Sequence, residues 1–192
     1  IDITSRYIDR RKALNCNIPN IYLKLPNIAR AEEQSIIRYV EENMSRIKGI
    51  ITANLGLINY FYDKIPCIGD YKLNIFNSEG LHFMNKYCAL STLSVELNRS
   101  EIKDIIKVLP KDLPVQVMVY GKIELMVSEY CAVGSVLGGR SKDSNCKLNC
   151  TGAYTLKDRK GMEFVIRNDI YCRSHIYNSL PLDLIDYVKD LK

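Results

Sequence analysis

The stretch "KGIITANLGLINYFYDK" (residues 48–64) sets a strand, "KGIITAN" ending at Asn54, directly before a short helix, "LGLINYFYDK". The same succession recurs on both sides. Upstream, "NIYLKL" (residues 20–25) has the apolar and aromatic content of a strand, and "EEQSIIRYVEENMSR" follows with Ile36, Ile37, Val40 and Met44 at helical spacing. Downstream, "DYKLNIFN" predicts a strand ending at Asn77, and "SEGLHFMNKY" a helix with Ser78 as N-cap and Glu79 in the first turn. "LSTLSVELN" is the next strand. Ser100 then caps "SEIKDIIKVLP", whose Ile102, Ile105, Ile106 and Leu109 share one face before Pro110 ends the helix. "LPVQVMVYGK" supplies a further strand, and "IELMVS" runs on from it.

Strands alternating with helices imply right-handed βαβ units and a parallel sheet, so the fold class is α/β. The units follow one another at roughly 20 to 28 residues, and a complete TIM barrel needs about 250. Five or six strands fall short of that circle, and the chain starts at Ile1 rather than Met. The expectation is therefore a partial (β/α) barrel over residues 1–123, the later part of a TIM-like barrel. A small cysteine-bearing α+β extension over residues 124–192 follows it. A doubly wound sheet is the competing pattern, but neither "GxGxxG" nor "GxxxxGK[ST]" occurs, so nucleotide-loop chemistry has no support.

Composition bounds the rest. With 47% apolar and 26% charged residues, the chain has the balance of a soluble globular protein. No apolar run reaches membrane-spanning length and no secretory leader opens the chain, so no membrane partner and a cytoplasmic location are expected. The net charge of +5 admits a polyanionic partner such as RNA, although the basic residues are scattered. Seven cysteines cannot close a complete disulfide framework. Cys16, Cys67 and Cys88 sit among apolar residues and read as small buried hydrophobes.

In either architecture active groups gather at the carboxyl ends of the strands. Those ends carry Asn54, Asn74, Asn77, Asn98, Tyr120 and Lys122, and also Glu96 and Arg99, which are the candidate catalytic pair. The asparagines read equally as helix caps and turn formers.

The remaining cysteines form a different pattern. "SEYCAVGSVLGGRSKDSNCKLNC" (residues 128–150) and "IYCRSHIYN" (residues 170–178) place Cys131, Cys146, Cys150 and Cys172 with fourteen, three and twenty-one residues between them. Four thiolates on a loop rich in Gly and Ser suit a soft metal ion or an iron–sulfur cluster. The spacing matches neither a zinc ribbon nor a ferredoxin run, and unligated thiols or disulfides stay open on spacing alone. After them, "CTGAYTLKDRKGMEFVIRND" reads as a hairpin about "KDRKG". A final amphipathic helix runs from Ser179 and Pro181 through Leu184, Ile185, Val188 and Leu191.

Three segments carry a resemblance: "YGKIELMVSEYCAVGS", "CKLNC" and "YTLKDRKGMEFVIRNDIYCRSHIYNSLPLDLI". Together they resemble the signature region of the collagenase-like peptidases, the unassigned-peptidase family thirty-two. The upstream "YKLNIFNSEGLHFMNKY" and "STLSVELNRSEIKDII" are similar to the last part of that family's barrel, so the likeness covers the chain from about residue 20. It implies that Cys131, Cys146, Cys150 and Cys172 hold a [4Fe–4S] cluster, with zinc as the alternative occupant. The first strands of the family's barrel are missing from this chain, and a preceding segment of the same protein or a partner chain would supply them.

The resemblance implies two activities. One is proteolysis, although the sequence has no "HExxH", no "GxSxG" and only two histidines, His82 and His175. Cys131 partnered by His175 would be the nucleophile, unless it is bound to iron. His82 lies in an amphipathic helix and reads as a packing residue. The other activity is oxygen-independent hydroxylation of an RNA base or a similar ring, with prephenate as a hydroxyl source in the RNA cases. Arg99 or Arg140 could pair with such a dicarboxylate. A third reading is a zinc-stabilised fragment without catalytic function.

Overall fold

The computed structural model describes residues 1–15, 18–141, 144–148 and 150–190, so Cys16 and Leu191 lie outside the described residues. The chain divides into two compact units. The first comprises Ile1–Ile3, Arg10–Val119 and Asp186–Lys192, and the second Thr4–Asp9 and Tyr120–Ile185.

The first unit holds a helix α1 (Arg10–Asn15) and a five-stranded parallel sheet. Its strands are β1 (Tyr22–Lys24), β2 (Gly49–Thr52), β3 (Cys67–Gly69), β4 (Leu90–Thr92) and β5 (Val115–Gln116), neighbours in chain order. Between them run α2 (Glu33–Asn43), α3 (Leu55–Phe61), α4 (Ser78–Met84) and α5 (Arg99–Val108). The strand order has no reversal, as a doubly wound sheet would have, and β1 and β5 do not pair among the described residues.

Register gives the two faces of this sheet different characters. Leu23, Ile50 and Cys67 stand opposite one another on one face and are fully buried. They share a core with Ile36, Ile37 and Val40 of α2, Leu57, Ile58 and Phe61 of α3, Leu81 and Met84 of α4, and Ile102 and Ile105 of α5. On the other face Lys24, Ile51, Ile68 and Leu90 stand opposite one another and are only half-buried. The period of 3.6 in each helix selects the first face, because a helix buries one stripe and a strand alternates.

Three expectations are corrected. "DYKLNIFN" is not a strand: β3 lies just before it, Tyr71–Leu73 form a 3-10 turn, and Asn74 ends that turn at φ 52. Tyr71, Leu73 and Ile75 alternate as a strand would, but a left-handed Asn interrupts the ladder, and Ile75 keeps only an isolated bridge to Leu93. The helix caps fall one or two residues early. Asn77 caps α4 through Gly80 N–H, and Asn98 caps α5 in a capping box with Glu101, so Ser78 and Ser100 lie inside their helices. Lastly, no amphipathic α-helix follows Ser179 among the described residues. Leu182–Asp183 pair as a strand and Ile185–Asp190 form a 3-10 helix, with Asp183 Oδ1 accepting from Ile185 N–H.

The second unit is antiparallel. Strands β6 (Tyr120–Gly121), β7 (Glu124–Ser128), β8 (Tyr154–Lys157), β9 (Glu163–Asn168), β10 (Ser174–Tyr177) and β11 (Leu182–Asp183) make a sheet ordered β7-β10-β9-β8 and a separate β11–β6 pair. The expected hairpin is β8–β9, with Asp158 Oδ1 accepting from Lys160 and Met162 and Gly161 at φ 82. A short helix α6 (Ala132–Val136) follows β7. No helix among the described residues is long and apolar enough to cross a membrane.

The capping assignment is measurable. Asn98→Ala is expected to cost about 1 kcal/mol by removing the side chain that accepts from Ser100 and Glu101 N–H. Ser100→Ala is expected to stay within about 0.5 kcal/mol. Urea denaturation of both variants checks the difference.

Candidate functional site

The second unit gathers the four cysteines from three pieces of chain. Cys131 follows β7 and caps α6; its Sγ accepts from Gly134 N–H at 3.2 Å and from Asn168 Nδ2 at 3.3 Å. Asn168 ends β9 and is buried, and its amide also donates to Ser174 Oγ across the sheet at 3.0 Å. Cys146 Sγ accepts from Leu148 N–H at 3.4 Å. A Cβ built on Gly134 would stand 3.0 Å from Cys131 Sγ and 3.5 Å from Cys146 Sγ, so those two sulfurs flank one glycine. Gly138 is tighter still, with the corresponding point 2.3 Å from Cys146 Sγ and 2.8 Å from Gly134 O. The Gly-rich run is therefore the space in which the sulfurs sit.

Cys150 and Cys172 complete the set. All four are free thiols, with Cys131 and Cys150 buried and the other two partly so. Burial is the main influence that pushes the Cys150 thiol up. The neighbouring charge of Cys131 adds to it, Arg6 opposes it, and Cys146 and Cys172 add further. One thiol thus responds electrostatically to the other three, which places all four in one neighbourhood. Cys150 and Cys172 adopt φ of 52 and 62, a left-handed conformation that costs an L-residue about 1–2 kcal/mol. Strain of this kind persists where surrounding contacts over-determine it.

Those contacts are visible at Cys172. Its N–H donates to Asp169 O at 3.1 Å, closing the turn between β9 and β10. Asp169 Oδ1 accepts from Tyr171 N–H and Arg173 N–H at 2.9 and 2.8 Å. Arg6, from the N-terminal segment of the same unit, donates Nε to Asp169 O at 2.6 Å, and Nη2 to Ile170 O and to Cys172 Sγ, each at 3.3 Å. Tyr7 OH donates to Gly152 O at 3.1 Å and Cys150 O at 3.4 Å, while the Arg167 guanidinium stacks over its ring.

A second polar group borders this turn. His175 Nδ1 lies 2.8 Å from Glu124 Oε2, and Nε2 lies 3.4 Å from Asp169 Oδ2, with both carboxylates buried. His175 sits opposite Val127 of β7 and Arg167 of β9. Both of its ring nitrogens face carboxylates, which is not the arrangement of a base for Cys131. Arg173 is buried and pairs with Glu129 at 3.0 Å.

The proposed catalytic residues lie elsewhere, in the first unit. Glu96 is exposed, with its N–H donating to Ser94 Oγ, and Arg99 is exposed at the start of α5. Asn54, Asn77 and Asn98 are helix caps, and Lys122 Nζ donates to Ser179 O at 2.8 Å. Arg140 is exposed beside the thiols, its Cδ 3.6 Å from the built Gly134 Cβ. His82 is exposed on α4, not packed. Cys67 and Cys88 are buried in the core as expected, and burial first, then the charge of Cys88, pushes Cys67 up to about 12. Sequence reasoning missed Arg6, Asn168, Asp169 and Glu124. Arg6 stands 166 positions from its sulfur, beyond any motif spacing. The "RND" that closes the hairpin is the one local signal, since Asn and Asp at a strand end mark a turn.

No group of three or more His, Cys, Asp and Glu among the described residues closes tightly enough to hold one metal ion. A single zinc, with Zn–S near 2.3 Å, needs its sulfurs about 4 Å apart. A [4Fe–4S] cluster would take four thiolates as ligands, with hydrogen bonds to the sulfurs setting its potential. Four free thiols with N–H groups aimed at three of the sulfurs are the donor set such a cluster takes, so the residues fit it by donor chemistry.

Comparison with known proteins gives one match. The family model for peptidase family U32 matches residues 7–192. No curated protein and no solved structure matches the chain.

The glycine geometry predicts a contrast. Gly138→Ala is expected to displace Cys146 and change its rate of native-state alkylation. Gly139→Ala, at φ 64 with nothing near the new methyl group, is expected to cost about 1 kcal/mol and leave that rate unchanged. Mass spectrometry of alkylated Cys146 reads both.

Proposed function

Because the chain belongs to peptidase family U32, we propose that its four cysteines hold a [4Fe–4S] cluster in an enzyme of oxygen-independent hydroxylation. The substrate is an RNA base or a similar ring, and a small anion such as prephenate is the hydroxyl source. The first unit, on this reading, is the later part of a TIM-like barrel, and the protein works in the cytoplasm, where thiols stay reduced. The observation that carries the proposal is the convergence of four free thiols with N–H donors on three of them.

Cys131, Cys146, Cys150 and Cys172 would be the ligands. A cluster there would supply an electron relay or a Lewis-acid site. The chain's own contribution is orientation and charge. Gly134 N–H, Leu148 N–H, Asn168 Nδ2 and the Arg6 guanidinium point at sulfur, and donors to sulfur offset negative charge and tune a cluster's potential. Arg6 counts most among these, as its charge stands 3.3 Å from Cys172 Sγ in a partly buried place. Proteolysis is the weaker reading on this geometry. Cys131 Sγ is engaged by two N–H donors and His175 Nδ1 by Glu124, so the pair lacks the thiolate–imidazole contact that attack on an amide needs.

Anaerobic purification tests the proposal. The expected protein is brown, with about four irons and four sulfides per chain, and Cys146→Ala loses both. A colourless protein with one zinc per chain overturns the cluster and supports a structural role. Loss of hydroxylated bases from RNA of a Cys146→Ala strain supports the assigned chemistry, and unchanged modification removes it. Gelatin cleavage that survives Cys146→Ala would restore the peptidase.

A further inference from the structure

Segment Thr4–Asp9 of the second unit makes its hydrogen bonds with the two stretches of chain that carry the left-handed cysteines. At Asp169–Cys172, Ser5 forms an antiparallel bridge with Asp169, and Thr4 O accepts from Ile170 N–H at 3.0 Å. Arg6 donates to Asp169 O, Ile170 O and Cys172 Sγ over the same turn. At Cys150–Gly152, Tyr7 OH reaches both carbonyl oxygens. Cys131 and Cys146 are held differently: their sulfurs take N–H groups from Gly134, Asn168 and Leu148, all outside this segment. Apolar packing does little to retain the segment. Neither hydrophobic cluster among the described residues includes a residue of Thr4–Asp9, and Tyr7, Ile8 and Asp9 are exposed. Surface hydrogen bonds with little buried apolar area are those that open locally, ahead of the fold as a whole.

We propose that Thr4–Asp9 is a clasp on the thiol site, which seats Cys150 and Cys172 when shut and opens to let a soft metal centre in or out. The proposal rests on the thiol site assigned above, but not on which metal centre fills it. A left-handed backbone is unfavourable for an L-residue and persists only under contacts from outside. At Cys172 those contacts include Arg6, whose planar fork spans the turn from Asp169 O to the sulfur. At Cys150 they include the Tyr7 hydroxyl on the carbonyl of the same residue. When the segment lifts, both cysteines lose these supports and relax toward ordinary backbone angles, taking their sulfurs with them. Cys131 and Cys146 stay in place, because α6, β9 and the loop at Leu148 still supply their donors. The site therefore divides into a fixed pair of thiols and a released pair, and departure of a bound centre waits on the clasp.

Alkylation by iodoacetamide, read cysteine by cysteine in the reduced, chelator-treated 192-residue chain, tests the clasp. Arg6→Gln is expected to speed alkylation of Cys150 and Cys172 about tenfold and to leave Cys131, and Cys67 of the first unit, at their parent rates. Arg6→Lys should speed it less, since one ammonium reaches fewer of the three acceptors. Tyr7→Phe should act on Cys150 more than on Cys172. The direction separates a clasp from a mere charge effect. Burial is the main influence on the Cys150 thiol and Arg6 opposes it, so losing that charge without opening would slow the reaction of the thiolate. Rates at Cys150 and Cys172 that stay level or fall in Arg6→Gln overturn the proposal, and so does an equal rise at Cys131, which would mean that the whole unit has loosened. In anaerobically purified chain, Arg6→Gln should also yield its iron to a chelator about tenfold faster. A chain that purifies without iron overturns the cluster and leaves the alkylation rates to decide the clasp, so the two failures are read apart.

Discussion

Everything in the second unit answers to the difficulty of confining four sulfurs in one largely buried volume. A thiolate at Cys150 is disfavoured by burial first and then by Cys131, with Arg6 opposing and Cys146 and Cys172 adding to it. Burial alone would exclude the charges, since an isolated buried anion is far costlier than a paired one. The structure meets the difficulty with N–H groups rather than with bulk solvent. Three amide donors and one guanidinium reach sulfur, and each is fixed by an element that has another reason to be where it is. Gly134 opens α6, Asn168 is locked to Ser174 across the sheet, and Leu148 lies in the loop between Cys146 and Cys150.

Asp169 is the pivot of that arrangement. Its carbonyl takes both Arg6 Nε and Cys172 N–H, its Oδ1 takes two further amides, and its Oδ2 faces His175. A carboxylate whose Oδ1 gathers two amides of the turn holds Cys172 in a left-handed conformation that the residue alone would not adopt. The N-terminal segment Thr4–Asp9 is part of the same device. Ile170 N–H donates to Thr4 O at 3.0 Å, Arg6 reaches the sulfur, and Tyr7 pins the backbone at Cys150 and Gly152. The site is therefore closed by a segment from the far end of the chain, which makes it a tertiary feature rather than a loop motif.

How much of this was legible in the sequence follows from the range of each interaction. Helices α2 and α5 were readable because Ile36, Ile37 and Val40, and Ile102 and Ile105, repeat at the period that one buried stripe requires. The β8–β9 hairpin was readable because Asp158 and Gly161 are turn residues with local causes. "DYKLNIFN" misled because its alternation is real, whereas the interruption at Asn74 depends on a single backbone angle. The four cysteines could be grouped from their spacing and from family resemblance. Arg6, Asn168 and Glu124 could not, because what joins them to the site is strand register and chain return, neither of which leaves a periodic trace. The strand-end asparagines illustrate a further limit. Residue type suited both ligand recognition and capping, and only Leu57 and Gly80 N–H pointing into Asn54 and Asn77 decides for capping.

The two faces of the parallel sheet show where stability and chemistry part. Leu23, Ile50 and Cys67 give up all their exposed surface, at about 25 cal/mol for each Å² of apolar area, and hold the layer together. Lys24, Asp70 and Lys72 do the reverse. A partly exposed ion pair contributes little, and screening by water reduces it further. Lys72 moreover works against folding below its shifted value. Its folded-state pKa of about 8 is lower than the ordinary 10.5, so the unfolded chain binds the proton more readily. The penalty is fully present below pH 8 and is relieved as pH rises from about 8 towards 10.5.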